Sequence, residues 1–308
     1  MTLMETSING RQTADMVAAL SKPSTTTLEH AVLHNHLSVQ MGLDHNHHSF
    51  VQRQYATYPF RLSRALRLDS TNAHRIYLYI MNSSPGLLGG DAFQIGIRLS
   101  DRTALYLTDQ SATKVHRMAT GQRARVHYKI EIGSGASLEY VPEPIILYRD
   151  ANLQQTMQVM LAPTGSLFLS DIMVPGRLAR GEYFHFHQYC NRLQVYTPAG
   201  DLVFTDAMKL KGQVESPFRS PIFASQPILA SVILVVPDTD LYALSLDLEQ
   251  VTHAQADLTV ASSALPNCNG LLVRVMARNV PIAKAYINYA LSKMRQLNRQ
   301  PALPEVPK

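Results

Sequence analysis

A short phrase that returns along the chain restricts its fold more than any other feature. Thr103-Ala-Leu-Tyr-Leu-Thr-Asp109 is echoed by Gly165-Ser-Leu-Phe-Leu-Ser-Asp171 and by Gly200-Asp-Leu-Val-Phe-Thr-Asp206, with a looser copy at Ala136-Ser-Leu-Glu-Tyr-Val-Pro142. Their shared leucines, Leu105, Leu138, Leu167 and Leu202, stand 33, 29 and 35 residues apart. Each copy is a small or turn residue, then a strand, then in three of four cases Ser/Thr-Asp. A unit that returns at such intervals and holds two or three strands predicts a mainly β chain of stacked sheets, elongated and solenoid-like. Strand side chains alternate between faces. Leu105, Leu107 and Asp109 therefore share a face, as do Leu167, Leu169 and Asp171, and Leu202, Phe204 and Asp206. If the leucine face is the core, three carboxylates reach the edge of the interior. The competing reading is that each Asp serves a turn just past its strand and looks at solvent.

The remaining pattern agrees with a β architecture. Short β-branched or aromatic runs at His74–Ile80, Ala92–Leu99, Arg123–Ile132, Leu153–Leu161 and Arg192–Tyr196 alternate with Gly, Pro, Asp and Ser turns. Helices are few and the clearest is near the C-terminus. Ile282, Ala285, Tyr286, Tyr289, Ala290 and Met294 form a 3.6-residue stripe over Ile282–Leu297. The proline-rich tail after it cannot prolong that helix. Residues 1–28 are polar and Ser/Thr-rich and are expected to be a loosely ordered leader, with a short helix over Thr13–Leu20. Residues 29–308 are expected to form a single domain.

Composition sets outer limits. With 46% apolar and 17% charged residues among 308, the chain can bury a sizeable core. A net charge of +5 with no run of four or more Lys/Arg gives little reason to expect a nucleic-acid partner. The two cysteines, Cys190 and Cys268, belong to no CxxC pair, so neither a disulfide framework nor a cysteine zinc site is expected. The N-terminus has no signal-peptide pattern and no long apolar run spans a membrane. The expectation is a soluble, cytoplasmic protein without a membrane partner.

Four segments carry polar chemistry. Ser84-Pro-Gly-Leu-Leu-Gly-Gly-Asp91 is a tight glycine loop without the spacing of a nucleotide fingerprint. It reads either as a hairpin turn capped by Asp91 or as a site. Thr108–Arg117 crowds hydrogen-bonding groups beside Lys114, His116 and Arg117. Pro175-Gly-Arg-Leu-Ala-Arg-Gly-Glu182 sets Arg177 and Arg180 near Glu182, as a salt-bridged turn or a contact surface. Finally, His30, His34, His36, His45, His47 and His48, with Asp44, form a histidine-rich tract. Imidazole suits nickel, copper and zinc, so His45, His47 and His48 are secondary metal candidates beside an ordinary polar loop. No hydrolase motif of the GxSxG or HExxH kind is present, and nothing singles out a nucleophile–base pair.

Taken in order, these segments resemble the urease accessory protein UreD (UreH) family. The resemblance rests on Tyr58-Pro-Phe-Arg-Leu62, Pro85-Gly-Leu-Leu-Gly-Gly-Asp91, Thr108 to Arg117, Leu138 to Pro142, Ser170-Asp171, Gly176 to Phe184 and Asn191 to Val195. It covers roughly residues 33–300 and leaves out the leader. The chain departs from the family where Tyr140 and Ser170 replace a frequent Trp, where His116 replaces Tyr, and in its Pro-Glu-Val-Pro-Lys ending. The resemblance implies a mostly β scaffold, not an enzyme. It implies binding to the urease apoprotein and recruitment of the helical protein UreF, which docks the GTPase UreG, for nickel insertion into urease. It further implies transient handling of nickel along an internal carboxylate path, with no tightly bound cofactor. By matched position the path carboxylates are Asp91, Asp171 and Asp206. Lys114, Arg117, Arg177 and Lys209 are the candidate counter-charges, and Lys114, Arg117, Arg177 and Glu182 the candidate binding residues. Two alternatives stand beside it: a pure protein–protein adaptor, and a metal-dependent hydrolase built on the histidine tract.

Overall fold

The computed structural model describes residues 35–69, 74–212, 220–254 and 256–307. The expected leader over 1–28, with its helix at Thr13–Leu20, and His30 and His34 lie outside the described residues.

From β1 (Leu37–Leu43) and β2 (Ser49–Ala56), a hairpin, the chain enters β3 (Phe60–Leu62) and β4 (Ile76–Asn82). It then shuttles between two sheets: β5 (Ala92–Leu99), β6 (Ala104–Asp109), the short β7 (Thr113–Val115), β8 (Ala124–Ile132), β9 (Ser137–Val141), the short β10 (Ile145–Leu147), β11 (Asn152–Leu161) and β12 (Ser166–Val174). After β13 (Gln188–Tyr196) it turns back through β14 (Leu202–Leu210) and the short helix α1 (Pro221–Ser225) into β15 (Ile228–Val235). The last elements are α2 (Leu241–Ala254), β16 (Leu258–Ala264), β17 (Gly270–Ala277) and α3 (Val280–Leu297). Sheet A has the order β14-β13-β11-β8-β5-β1-β2, and sheet B runs β16-β17-β15-β12-β9-β6-β4-β3. Strands β5, β8, β11 and β13 are parallel, and so are β4, β6, β9 and β12. Each coil thus adds one rung to each sheet, the stacked solenoid-like arrangement that the sequence echo predicts.

The two sheets read differently in sequence because their outer faces meet different surroundings. Sheet B is covered on both sides. Its inner residues Leu105, Leu138 and Leu167 join the core between the sheets, while Tyr106 and Phe168 face a second core under α2 and α3. Its strands are therefore near-continuous apolar runs. Among the described residues sheet A is covered on one side only, and β11 alternates buried and more exposed positions along its length. The helix α3 begins at Asn279, whose side chain accepts the Ile282 N–H at 3.0 Å. It buries Ala283, Tyr286, Ile287, Ala290, Leu291 and Met294. The helical period is legible in the sequence, but the buried stripe is rotated: Ala285 is exposed, while Ala283, Ile287 and Leu291 are buried.

One copy of the echo departs from expectation. The copies at Leu105, Leu138 and Leu167 stack as consecutive rungs β6, β9 and β12, paired Leu105↔Leu138 and Leu138↔Leu167. The copy at Leu202 instead forms β14, an antiparallel edge strand of sheet A. Leu202 is 51% exposed. A register shift between Phe204 and Leu202 breaks the alternation there: Phe204, opposite Val195, is buried, whereas Leu202 comes opposite Tyr196 and leaves the core face.

The outer face of sheet B carries a buried ionic knot. Glu139 of β9 accepts from Arg295 Nε at 2.9 Å and Nη2 at 2.5 Å, and Arg75 Nη1 lies 3.2 Å from it. The last contact is ionic only, since its geometry makes no hydrogen bond; Arg75 donates instead from Nη2 to Gln300 at 2.7 Å. Asp69 completes the group, 3.3 Å from Arg295 Nη1 and hydrogen-bonded by the Tyr77 hydroxyl.

Candidate functional site

A narrow cavity of about 80 Å³ lies between the sheets. At roughly 10–15 Å³ of such space per water it has room for several. Its walls cross six neighbouring strands of sheet B, from β3 to β15, and five of sheet A, from β5 to β14. At about 4.8 Å between strands the five of sheet A make a run of about 19 Å.

The strand register explains why carboxylates line it. In sheet B, Thr108 pairs with Val141 and Leu169 with Tyr140. Continuing these registers, one step from Thr108 and two from Leu169, Asp109 and Asp171 both come opposite Pro142. Asp171 then pairs with Ser231, and Ser231 with Arg274. In sheet A the facing row is Ile95, Tyr128, Met157, Leu193 and Asp206. Asp109, Asp171 and Asp206 all line the cavity. For Asp109 and Asp171 the leucine-face reading holds, and the solvent-turn reading does not; Asp206 reaches the cavity on the face of Phe204, which Leu202 does not share.

Asp171 and Asp206 come together near one end. Arg274, on the inner face of β17, donates from Nη2 to Asp206 Oδ1 at 2.5 Å and from Nη1 to Ser231 Oγ at 2.5 Å. Asp171 Oδ2 accepts from Asn191 Nδ2 at 3.4 Å. Asp171 lines the cavity, and burial pushes its carboxyl up to about 6, against the opposing pull of Arg274. The Tyr189 hydroxyl is wholly buried and makes no well-formed hydrogen bond, although the Asn191 amide is close by. Burial, and then the nearby Asp171 charge, hold that phenol well above its ordinary value. At the opposite part of the wall, Glu143 pairs with Lys284 at 2.5 Å, and its N–H points to Asp109 Oδ2 at 3.3 Å.

Asp91 is placed elsewhere. It is not part of the cavity wall; its Oδ2 accepts the Leu88 N–H at 2.7 Å and caps the glycine loop. That loop clasps β7 and the residue after it, with Leu87 N–H donating to Lys114 O at 2.8 Å and His116 N–H to Leu87 O at 2.9 Å. Gly86 has φ +144°, and a Cβ there would stand 2.3 Å from Lys114 O, so the approach needs glycine. The Arg177 guanidinium sits 4.7 Å from the Tyr148 ring centroid, and the His116 ring meets the same tyrosine edge-on at 5.2 Å. Three of the polar segments thus converge around Tyr148.

Two of the four candidate counter-charges are spent locally. Arg117 pairs with Asp150 at 3.0 Å and is 80% exposed. Arg177 Nε donates to the buried Glu182 at 2.5 Å, and Glu182 also accepts the Arg149 N–H. Lys114 and Lys209 are exposed. None of the four meets Asp171 or Asp206. The cation that does is Arg274, which sequence reasoning missed. A signal was available: in Leu271-Leu-Val-Arg-Val-Met-Ala277 the arginine alternates with Val273 and Val275, whose face belongs to the helix-covered core. His45 and His47 are exposed at the tip of the β1–β2 hairpin, with Asp44 Oδ1 accepting the Asn46 and His48 N–H groups. Among the described residues no group of three or more His, Cys, Asp or Glu side chains is arranged to hold a metal ion.

The family model described as UreD urease accessory protein matches residues 34–308. The urease accessory protein UreD of Trichodesmium erythraeum is 42% identical over 276 residues, covering 89% of this chain and 99% of the relative. That of Haloarcula marismortui is 33% identical over 241 residues, covering 78% of this chain and 79% of the relative. With a family match across nearly all the described fold and relatives this similar over most of their length, the chain belongs to the UreD family of urease accessory proteins.

Proposed function

We propose that this chain is a non-enzymatic cytoplasmic scaffold that binds the urease apoprotein and recruits UreF, and through it UreG, while nickel passes through the cavity between its sheets. The observation that carries the nickel part is the row of inward carboxylates: Asp109 and Asp171 on sheet B, with Asp206 facing them from sheet A. Carboxylates are usable ligands for Ni²⁺ but weaker than imidazole or thiolate. Spaced weak ligands suit passage, because an ion has to leave each site as well as enter it. Asp91, exposed Lys114 and Arg117, and the Arg177–Glu182 clasp then belong to the outer surface, where they shape or contact a partner. The histidines at 45, 47 and 48 stand apart from the cavity and serve at most as a collecting point for metal.

The test substitutes Asp171→Ala and Asp206→Ala and measures urease activation together with co-purification of the urease subunits, UreF and UreG. The expected result is lost activation with assembly intact. Full activation by both variants would remove the nickel path and leave the adaptor reading. One observation favours that second reading: Asp206 is already paired with Arg274.

A further inference from the structure

We infer that Arg274 is a tethered cation that closes the acidic end of the cavity and admits divalent ions in preference to monovalent ones, by requiring an entering ion to displace its guanidinium. The inference rests on the nickel-path reading and adds to it a residue that acts as a charge filter.

The geometry is that of a pair built to exchange. An arginine fork can grip both oxygens of a carboxylate. Here the fork is split: Nη1 goes to Ser231 Oγ and Nη2 to a single oxygen of Asp206. The Arg274 side chain is 36% exposed and that of Asp206 20%. The guanidinium can therefore swing toward water without the desolvation cost that fixes a fully buried arginine. One strand further in, Asp171 makes no salt bridge of its own among the described residues, so two carboxylates share one positive charge.

The charge count supplies the discrimination. A monovalent ion would replace one positive charge with another and forfeit the Ser231 and Asp206 hydrogen bonds. A divalent ion matches both carboxylates at once, and Coulomb attraction scales with that charge. The oxygens it would meet are those of Asp171, Asp206, Ser231 and the Asn191 amide, which suit a divalent cation. The buried Tyr189 hydroxyl is a further oxygen near Asp171.

The test is equilibrium dialysis of NiCl₂ against the purified full chain, with KCl as competitor. The variants are Arg274→Gln, Arg274→Lys and Arg274→Gln with Asp206→Asn. Arg274→Gln is expected to bind Ni²⁺ about tenfold more tightly at one site and to become sensitive to K⁺. Arg274→Lys retains the charge and is expected to behave as the unaltered chain. The gain should vanish when Asp206→Asn is added. Unchanged affinity in Arg274→Gln, or a gain that persists without Asp206, overturns the inference. A second measurement needs no variant: titration of diamagnetic Zn²⁺ should shift the Arg274 Nε–H resonance, and a resonance that stays fixed also overturns it. Activation assays on Asp171→Ala and Asp206→Ala decide the path reading separately, since the metal titrations use this chain alone.

Discussion

On the outer face of sheet B, Glu139 meets Arg295 and Arg75 where the carboxylate is wholly buried and Arg295 is 1% exposed. On the inner face, Arg274 reaches across to Asp206 at the end of a cavity, 36% exposed and bound to a single carboxylate oxygen. Both are arginine–carboxylate pairs anchored on the same sheet. The outer one is closed on every side by α3, the tail and neighbouring strands, so its charges have no alternative to each other. The inner one is incomplete, with Asp171 beside it wanting a second positive charge. What separates a structural pair from an exchangeable one here is the access each has to water.

That contrast can be broken by measurement. The largest effect is expected from Glu139→Gln, which leaves two buried guanidinium groups short of their carboxylate. The full chain should lose about 3–5 kcal/mol, read as a fall in the urea unfolding midpoint. A loss near that of a surface pair would mean the outer knot is also exchangeable.

Asp171→Asn should act in the opposite direction. Its folded carboxyl titrates at about 6 against an ordinary 3.8, so the folded state holds the proton more tightly. That contribution to stability is complete below pH 3.8 and is lost as pH rises through 6. At pH 7 the asparagine variant should therefore be more stable by about 2–3 kcal/mol, at roughly 1.4 kcal/mol for each tenfold difference in proton affinity between the folded and unfolded chain. The gain should disappear at pH 3.5 in parallel melts. Equal stability at both pH values would show that the cavity solvates Asp171 fully.

Arg274→Gln is expected to cost less than about 1 kcal/mol, because a partly exposed pair contributes little. A larger drop in the unfolding midpoint would place it with the outer knot. The smallest effect should come from Glu131→Gln on the outer face of sheet A. Its partner Arg98 is 59% exposed, and the change should stay within about 0.5 kcal/mol in the same unfolding assay.

The contrast also bears on what the chain discloses without its fold. The rungs are legible because leucine at alternate positions, repeated three times over, is a local pattern that one face of a stacked sheet dictates. The inward turn of Asp171 follows from the same alternation, and that of Asp206 from the face it shares with Phe204. The failures lie where a partner comes from another part of the chain. Leu202 matches the echo, yet local spacing cannot tell a further rung from a strand that turns back along the edge. Arg274 lies 68 residues from Asp206, and nothing near either residue names the other. Asp91 sits in a sharp motif whose sharpness comes from backbone geometry, the close approach at Gly86 and the Leu88 cap, and not from the cavity. Lys114, Arg117 and Arg177 suggest themselves as counter-charges by nearness in sequence, but each projects from a loop or short strand outside the cavity.

The outer knot has a consequence for the order in which the molecule is made. Glu139 and Arg295 are 156 residues apart, and Arg75 joins the far side to Gln300, 225 residues later. The rungs β4, β6, β9 and β12 are complete long before α3 has been synthesised. Until then sheet B presents Tyr77, Tyr106, Phe168 and the Glu139 carboxylate to its surroundings, uncovered by the helices that later seal them. A ribosome-bound chain therefore carries an open apolar sheet face for as long as it takes to translate its second half, the condition under which nascent β proteins aggregate. Truncation before α3, which removes Ala283, Tyr286, Ile287, Ala290, Leu291 and Met294 together with Arg295, would make that transient state permanent.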